Sequence, residues 1–145
     1  MENAIQTSPV TASDRHWAAA AHAGALLLAV LTSWAAGLAG ALAALGVWLL
    51  VRERSGFAAG HAKEALNFNL SMFLYAMVAC VIGVVLFGAT VLTLGLGVIV
   101  TAPAGLLLLL AAGAIAVLWL VCSLIATFKA LDGQPYRYPL TIRLF

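Results

Sequence analysis

HAKEALNFNLSMFLYAMVACVIG, residues 61–83, decides how this chain is read. It opens on His61, Lys63 and Glu64, followed by Asn67 and Asn69. Beyond Ser71 and Tyr75 it is almost wholly apolar. A stretch that is polar at one end and lipid-like at the other is the mark of a helix leaving water for a bilayer. Such a helix needs about 20 apolar residues to cross about 30 Å of hydrocarbon.

The rest of the chain has the same character. Of its 145 residues, 65% are hydrophobic and 8% charged, and the mean hydropathy is +1.11. A soluble domain has about 25% charged residues, and one this small leaves too much surface exposed to hide so many apolar groups. No charge lies between Arg15 and Arg52, or between Glu64 and Lys129. As helix, these gaps are roughly 54 Å and 95 Å long, so each suits two passes rather than one.

Helix breakers place the turns. Thr32, Ser33, Trp34 and Gly37 interrupt the first gap, and Thr93–Gly97 with Pro103 interrupt the second. The sequence therefore predicts an all-α integral membrane protein of four transmembrane helices in two hairpins. The predicted spans are 16–33, 36–51, 62–92 and 102–131. The first pair is short, so a half-inserted or tilted hairpin is an alternative there. Residues 1–13, polar and Ser/Thr-rich, read as a disordered tail, and 14–145 as one membrane domain. A cleaved signal peptide competes for the first helix, but it would be shorter and more basic in front.

Four passes put both termini and the middle loop on one side. Arg15, Arg52, Arg54, Lys63, Lys129, Arg137 and Arg143 all fall there, and the opposite turns carry no charge. Basic loops stay inside, so this side is expected to be cytoplasmic, in the bacterial inner membrane. Trp17, Trp34 and Trp48 fall near span ends, where amphipathic rings favour the headgroups. Trp119 lies deeper and reads as a packing residue. Ala36, Gly40 and Ala44 form a small-residue ridge that lets helices approach closely. Cys80 and Cys122 lie at different depths, roughly 24 Å and 10 Å along their helices from the charged side, and are expected to be free, buried thiols.

In the opening stretch, residues four apart share a helix face. Lys63, Asn67, Ser71 and Tyr75 thus form a polar stripe with His61 and Glu64 at its base, and Asn69 points elsewhere. Such groups need protein partners. His22 in the first helix is one candidate, and Ser123 and Thr127 in the last are others. One reading is interhelical glue, at about 1 kcal/mol per bond. The other is a path for an ion, proton or small solute. His61, Glu64 and His22 lack an established metal-ligand spacing. No nucleophile–base pair and no phosphate loop is present. No catalytic, metal or cofactor-binding residues are assigned.

After the last span comes LDGQPYRYPLTIRLF. Gly133 can close a helix and Pro135 prevents it resuming. The tail from 134 to 145 then carries Tyr136, Arg137, Tyr138 and Arg143. It suits anionic headgroups, or it docks beneath the bundle with Arg143 near Glu64.

HAKEALNFN before a span and YRYPLTIRLF after the last one resemble a widespread bacterial family of small membrane proteins. That family includes the magnetosome protein MamF and is grouped with the Tic-type import component of the chloroplast inner envelope. The resemblance covers residues 14–145, with His22 in the first span and Trp48 near the end of the second. It implies four helices and supplies no activity. The expected function is a non-enzymatic scaffold or accessory subunit of a membrane complex. Its expected partners are the lipid bilayer and a membrane protein or a second copy, with no nucleic acid. A small oligomeric transporter or channel subunit is the alternative. An enzyme acting on lipid, with His61 and Glu64 as acid and base, ranks last.

Overall fold

The computed structural model describes residues 9–32 and 36–145. Four helices account for most of them: α1 (Ala12–Thr32), α2 (Ala36–Val51), α3 (Gly56–Leu92) and α4 (Val98–Leu131). Among the described residues there is no strand. Residues 1–8 of the expected tail, and Trp34, lie outside the described residues.

Three helices begin earlier than apolar content alone suggested, two of them, α1 and α3, because polar first turns are held by caps. At α1, the Thr11 hydroxyl accepts from the Asp14 N–H at 3.1 Å while Asp14 Oδ2 accepts from the Thr11 N–H at 2.9 Å. This reciprocal box moves Ala12 and Ser13 from the expected tail into the helix. The Ser55 and Thr11 hydroxyls hold the Asp14 carboxyl below the usual carboxylate range. At α3, Ser55 is the N-cap and its hydroxyl accepts from the Ala58 N–H at 3.2 Å. The helix therefore starts at Gly56, ahead of the HAKEALNFN block, rather than at residue 62. At α4, Pro103 was expected near the helix start but lies inside it, with Gly97 as N-cap.

The helices differ in reach. α3 and α4 have 37 and 34 residues, against 21 and 16 for α1 and α2. Gly37, at the start of α2, lies where an added Cβ would stand 2.8 Å from Phe73. The turn of the first hairpin is therefore level with the middle of α3. The last buried residue of α3 is Met72 and the first of α4 is Cys122. Beyond these, α3 and α4 run on together for roughly 30 Å without the other two helices. Only α3 and α4, among the described residues, are long and apolar enough to cross a membrane.

Alanine dominates the core of the base. One cluster joins Ala21, Ala25, Ala41, Ala44, Ala62, Ala65 and Leu66. A second joins Ala18, Ala19, Val51, Ala58 and Ala130. Small side chains replace volume with close backbone approach, which suits helices held by packing in lipid. Gly40 of the small-residue ridge sits directly against the Asn69 side chain.

In the projecting hairpin the outward residues are apolar and exposed, among them Val84, Val85, Phe87, Leu106 and Leu109. Thr90 and Thr101 join the two helices near its tip, hydroxyl to hydroxyl at 2.6 Å. Both cysteines are free, but only Cys122 is buried. Cys80 is exposed, a correction to the expected burial, because its helix has no neighbour on that face.

Candidate functional site

The structure divides the polar residues of the opening stretch into four groups. Lys63 is exposed and sits over the ring of Trp48, 5.7 Å from its centroid, with Arg52 at 5.4 Å from the same ring. It takes no part in the line formed by Asn67, Ser71 and Tyr75. That line starts instead at Glu64, so its members are three, four and four residues apart and occupy successive turns of one face.

What fills this face is the C-terminal segment, as non-helical backbone. The Tyr138 N–H donates to Glu64 Oε2 at 3.2 Å. Ser71 Oγ accepts from the Ile142 N–H at 2.9 Å and donates to the Asn67 carbonyl at 2.7 Å. Asn67 Oδ1 accepts from the N–H groups of Leu144 and Phe145, at 3.1 and 3.2 Å. Tyr75 donates to the Leu140 carbonyl at 2.8 Å. Arg143 Nε lies 3.3 Å from Glu64 Oε1, and Arg137 Nε lies 4.0 Å from the same oxygen. The segment thus runs along α3 to the level of Tyr75, turns at Pro139–Leu140, and comes back.

Gly133 makes this return possible. It has φ of 73°, a left-handed conformation that costs a residue with a Cβ about 1–2 kcal/mol. With Pro135 two residues on, the chain reverses against the end of α4 rather than continuing outward.

Beneath the segment lies a buried trio of rings. His22 Nε2 and His61 Nδ1 are 2.8 Å apart, and the Tyr138 hydroxyl is 2.8 Å from His22 Nδ1. Tyr138 also stacks on Phe68, with centroids 3.9 Å apart and planes 12° from parallel. A neutral imidazole has one donor and one acceptor nitrogen, so the trio admits two proton orders, one the reverse of the other. His61 Nε2, the last nitrogen, is buried and faces the Gln134 main chain without a hydrogen bond of good geometry. Burial pushes the Tyr138 hydroxyl above the usual tyrosine range, and that of Tyr136 up to about 12, so both are neutral near pH 7.

Two residues outside the predicted stripe complete the arrangement. Asn69 is buried; its Oδ1 accepts from Trp119 Nε1 at 3.2 Å, and its Nδ2 donates to the Ala65 carbonyl at 2.9 Å. This bond ties α3 to α4 where the base ends. Of the hydroxyls considered on the last helix, Thr127 donates to the Ser123 carbonyl of its own helix, and Ser123 acts on Tyr138 rather than on the stripe. Above Trp119, a cleft of about 570 Å³ opens between α3 and α4, lined by Tyr75, Ala79, Ala112, Ile115 and other apolar residues. Among the described residues, no three His, Cys, Asp or Glu side chains form a group able to hold a metal ion.

Residues 13–145 match the profile of the magnetosome magnetite crystal formation protein family, MamF/MmsF. The chain belongs to that family. MamF/MmsF membership thus covers the four helices and the docked segment alike. Comparison with curated proteins and with solved structures gives no match.

Proposed function

We propose that this MamF/MmsF protein is a multi-pass protein of the bacterial cytoplasmic membrane that works without catalysis, as a scaffold or accessory subunit. In this reading α3 and α4 cross the bilayer, and the α1–α2 hairpin enters only part way from the charged side. That side is cytoplasmic, since it carries the arginines and lysines.

One observation carries the choice of a scaffold over a conductor. The polar line on α3 is consumed within the chain: Glu64, Asn67, Ser71 and Tyr75 are each engaged by the C-terminal segment. A path for ions or protons needs polar groups that face water or one another across the bilayer. The cleft farther along α3 and α4 is apolar, which suits hydrocarbon and helices.

The same observation moves the contact surface. The α3 stripe and the tail are engaged with each other, so we assign partner contact to an apolar surface left unshared, the flank of the projecting hairpin. Its turn, Thr93–Gly97, has no carboxylate for a mineral face. We therefore assign this chain's part in its family's work to the membrane.

The test is to extract the protein in lipid discs from its native membrane and weigh the intact complex. A stoichiometric membrane-protein partner or a second copy is expected, and Ala79→Trp or Ala112→Trp should weaken the association. Sealed proteoliposomes should show no protein-dependent flux of protons or common ions. Flux there, with association indifferent to both substitutions, would favour the transporter reading.

A further inference from the structure

We infer that the segment Pro139–Phe145 is a re-entrant strap, embedded in the bilayer with its apolar side chains against lipid acyl chains. The inference rests on the membrane placement of α3 and α4 proposed above. It adds a membrane-contacting element that is neither a helix nor a crossing.

The first argument is the direction of the side chains. The backbone of the strap faces α3, while Leu140, Ile142, Leu144 and Phe145 face away and are 62%, 42%, 57% and 66% exposed. They form an apolar ridge beside Tyr75 on the same side of α3. In water such a ridge would be a costly apolar patch. In hydrocarbon it continues the surface that the hairpin already presents.

The second argument is the treatment of the backbone. Irregular chain near a membrane is favoured where protein side chains satisfy much of its polar backbone. Here the N–H groups of Tyr138, Ile142, Leu144 and Phe145 and the carbonyls of Leu140 and Phe145 have partners on α3 side chains, while the N–H groups of Leu140, Thr141 and Arg143 have none among the described residues. Pro139, at the tip, has no N–H to satisfy. Water would serve these groups without a dedicated row of side chains, one per helical turn.

The third argument is polarity along the strap. Arg143 within it and Arg137 just before it both reach Glu64 at the charged end of α3. Its tip, Pro139–Leu140, bonds the Tyr75 hydroxyl and stands at most about 10 Å beyond the Tyr138–Glu64 bond, two residues further on. Charge at the entrance and leucine at the deepest point is the gradient of a segment that dips into one leaflet.

The experiment uses purified full-length protein in vesicles of plain phospholipid, so that lipid alone is available to cover the strap. Spin labels are placed singly at Leu140→Cys, Leu144→Cys, Val85→Cys on α3, and Arg54→Cys in the α2–α3 loop, each with Cys80→Ala. Collision rates with oxygen and with a water-soluble nickel chelate give the depth of each. The expected result is that 140 and 144 prefer oxygen, as 85 does, with 140 deeper than 144, and that 54 prefers the chelate. If 140 and 144 resemble 54 while 85 stays in lipid, the strap is not embedded, and the inference alone is overturned. If 85 also meets the chelate, the membrane placement itself fails. Hydroxyl-radical footprinting of the unmodified protein in the same vesicles is the check independent of substitution. Protection of Leu140 and Ile142 is expected, and their oxidation would overturn the strap. Protection found in native membranes but not in these vesicles would assign the ridge to a protein partner instead of lipid, and would also overturn it.

Discussion

Asn67 and Phe145 meet twice, although 78 residues separate them: Nδ2 donates to the Phe145 carbonyl at 3.1 Å, and Oδ1 accepts from the Phe145 N–H at 3.2 Å. A side-chain carboxamide here does what a neighbouring strand would do for the backbone of the strap. The pairing holds the segment without any regular structure.

Replacing Asn67 with Ala should therefore release the strap before it unfolds the helices. The cost is expected to be about 1–3 kcal/mol, that of buried polar groups left unpaired. Hydrogen exchange should show the Leu144 and Phe145 amides losing protection while those of α1 and α2 keep theirs. Unchanged exchange at both amides would contradict the assigned pairing.

Tyr138→Phe keeps the ring that stacks on Phe68 and removes only the hydroxyl facing His22 Nδ1. The expected loss is about 1–3 kcal/mol, because a buried imidazole nitrogen is left without its partner. Adding His22→Phe should cost less than the two single losses combined, since both act on one network. Unfolding curves in detergent for the four proteins of this cycle give the coupling, and strict additivity would count against a shared network.

Gly40 has no room for a side chain: an added Cβ would press on the Asn69 amide and stand 3.0 Å from the Ala25 carbonyl. Gly40→Val should destabilise the base by about 1–3 kcal/mol through overpacking. It should also disturb the Asn69–Trp119 bond, so the Trp119 emission is expected to shift along with the lower melting temperature. Gly46, which has open space at its Cβ position, is the control site.

Gly133→Ala tests the reversal that aims the strap. With φ at 73°, the substitution should cost about 1–2 kcal/mol. Limited proteolysis is the readout, and faster cleavage within residues 134–145 is the expected outcome. A variant as resistant as the natural chain would mean that the strap needs no such turn.

Much of the helical architecture was legible from charge spacing alone. The empty intervals after Arg15 and after Glu64 count out four helices, and α2 runs from Ala36 to Val51 as the breakers indicate. The starts of α1 and α3 were not legible from hydropathy, because Thr11, Asp14 and Ser55 extend the helices through polar residues. The unequal reach of the two hairpins was only partly visible, in the shortness of the first pair; its level on α3 is set by Gly37 and Gly40 meeting Phe73 and Asn69.

The polar line was legible from Asn67 to Tyr75, since spacing of four reveals a face. Its start at Glu64 rather than Lys63 was not, because Lys63 is drawn to the ring of Trp48. The strap's grip was also hidden, since what α3 binds there is backbone, and backbone looks alike in every residue. Asn69 and Trp119 sit fifty positions apart, and nothing local to either one points to the other.

The ring trio has a consequence for how the molecule is built. A chain emerges amino end first, so His22 and His61 are in place long before Tyr138 follows, 116 positions after His22. Until then the first three helices hold an unfinished polar centre, and Asn67 and Ser71 lack the strap that completes their bonding. Arrival of residues 138–145 closes both at once. The segment thus works as a latch, and a chain held short of it leaves bare polar groups on α1 and α3.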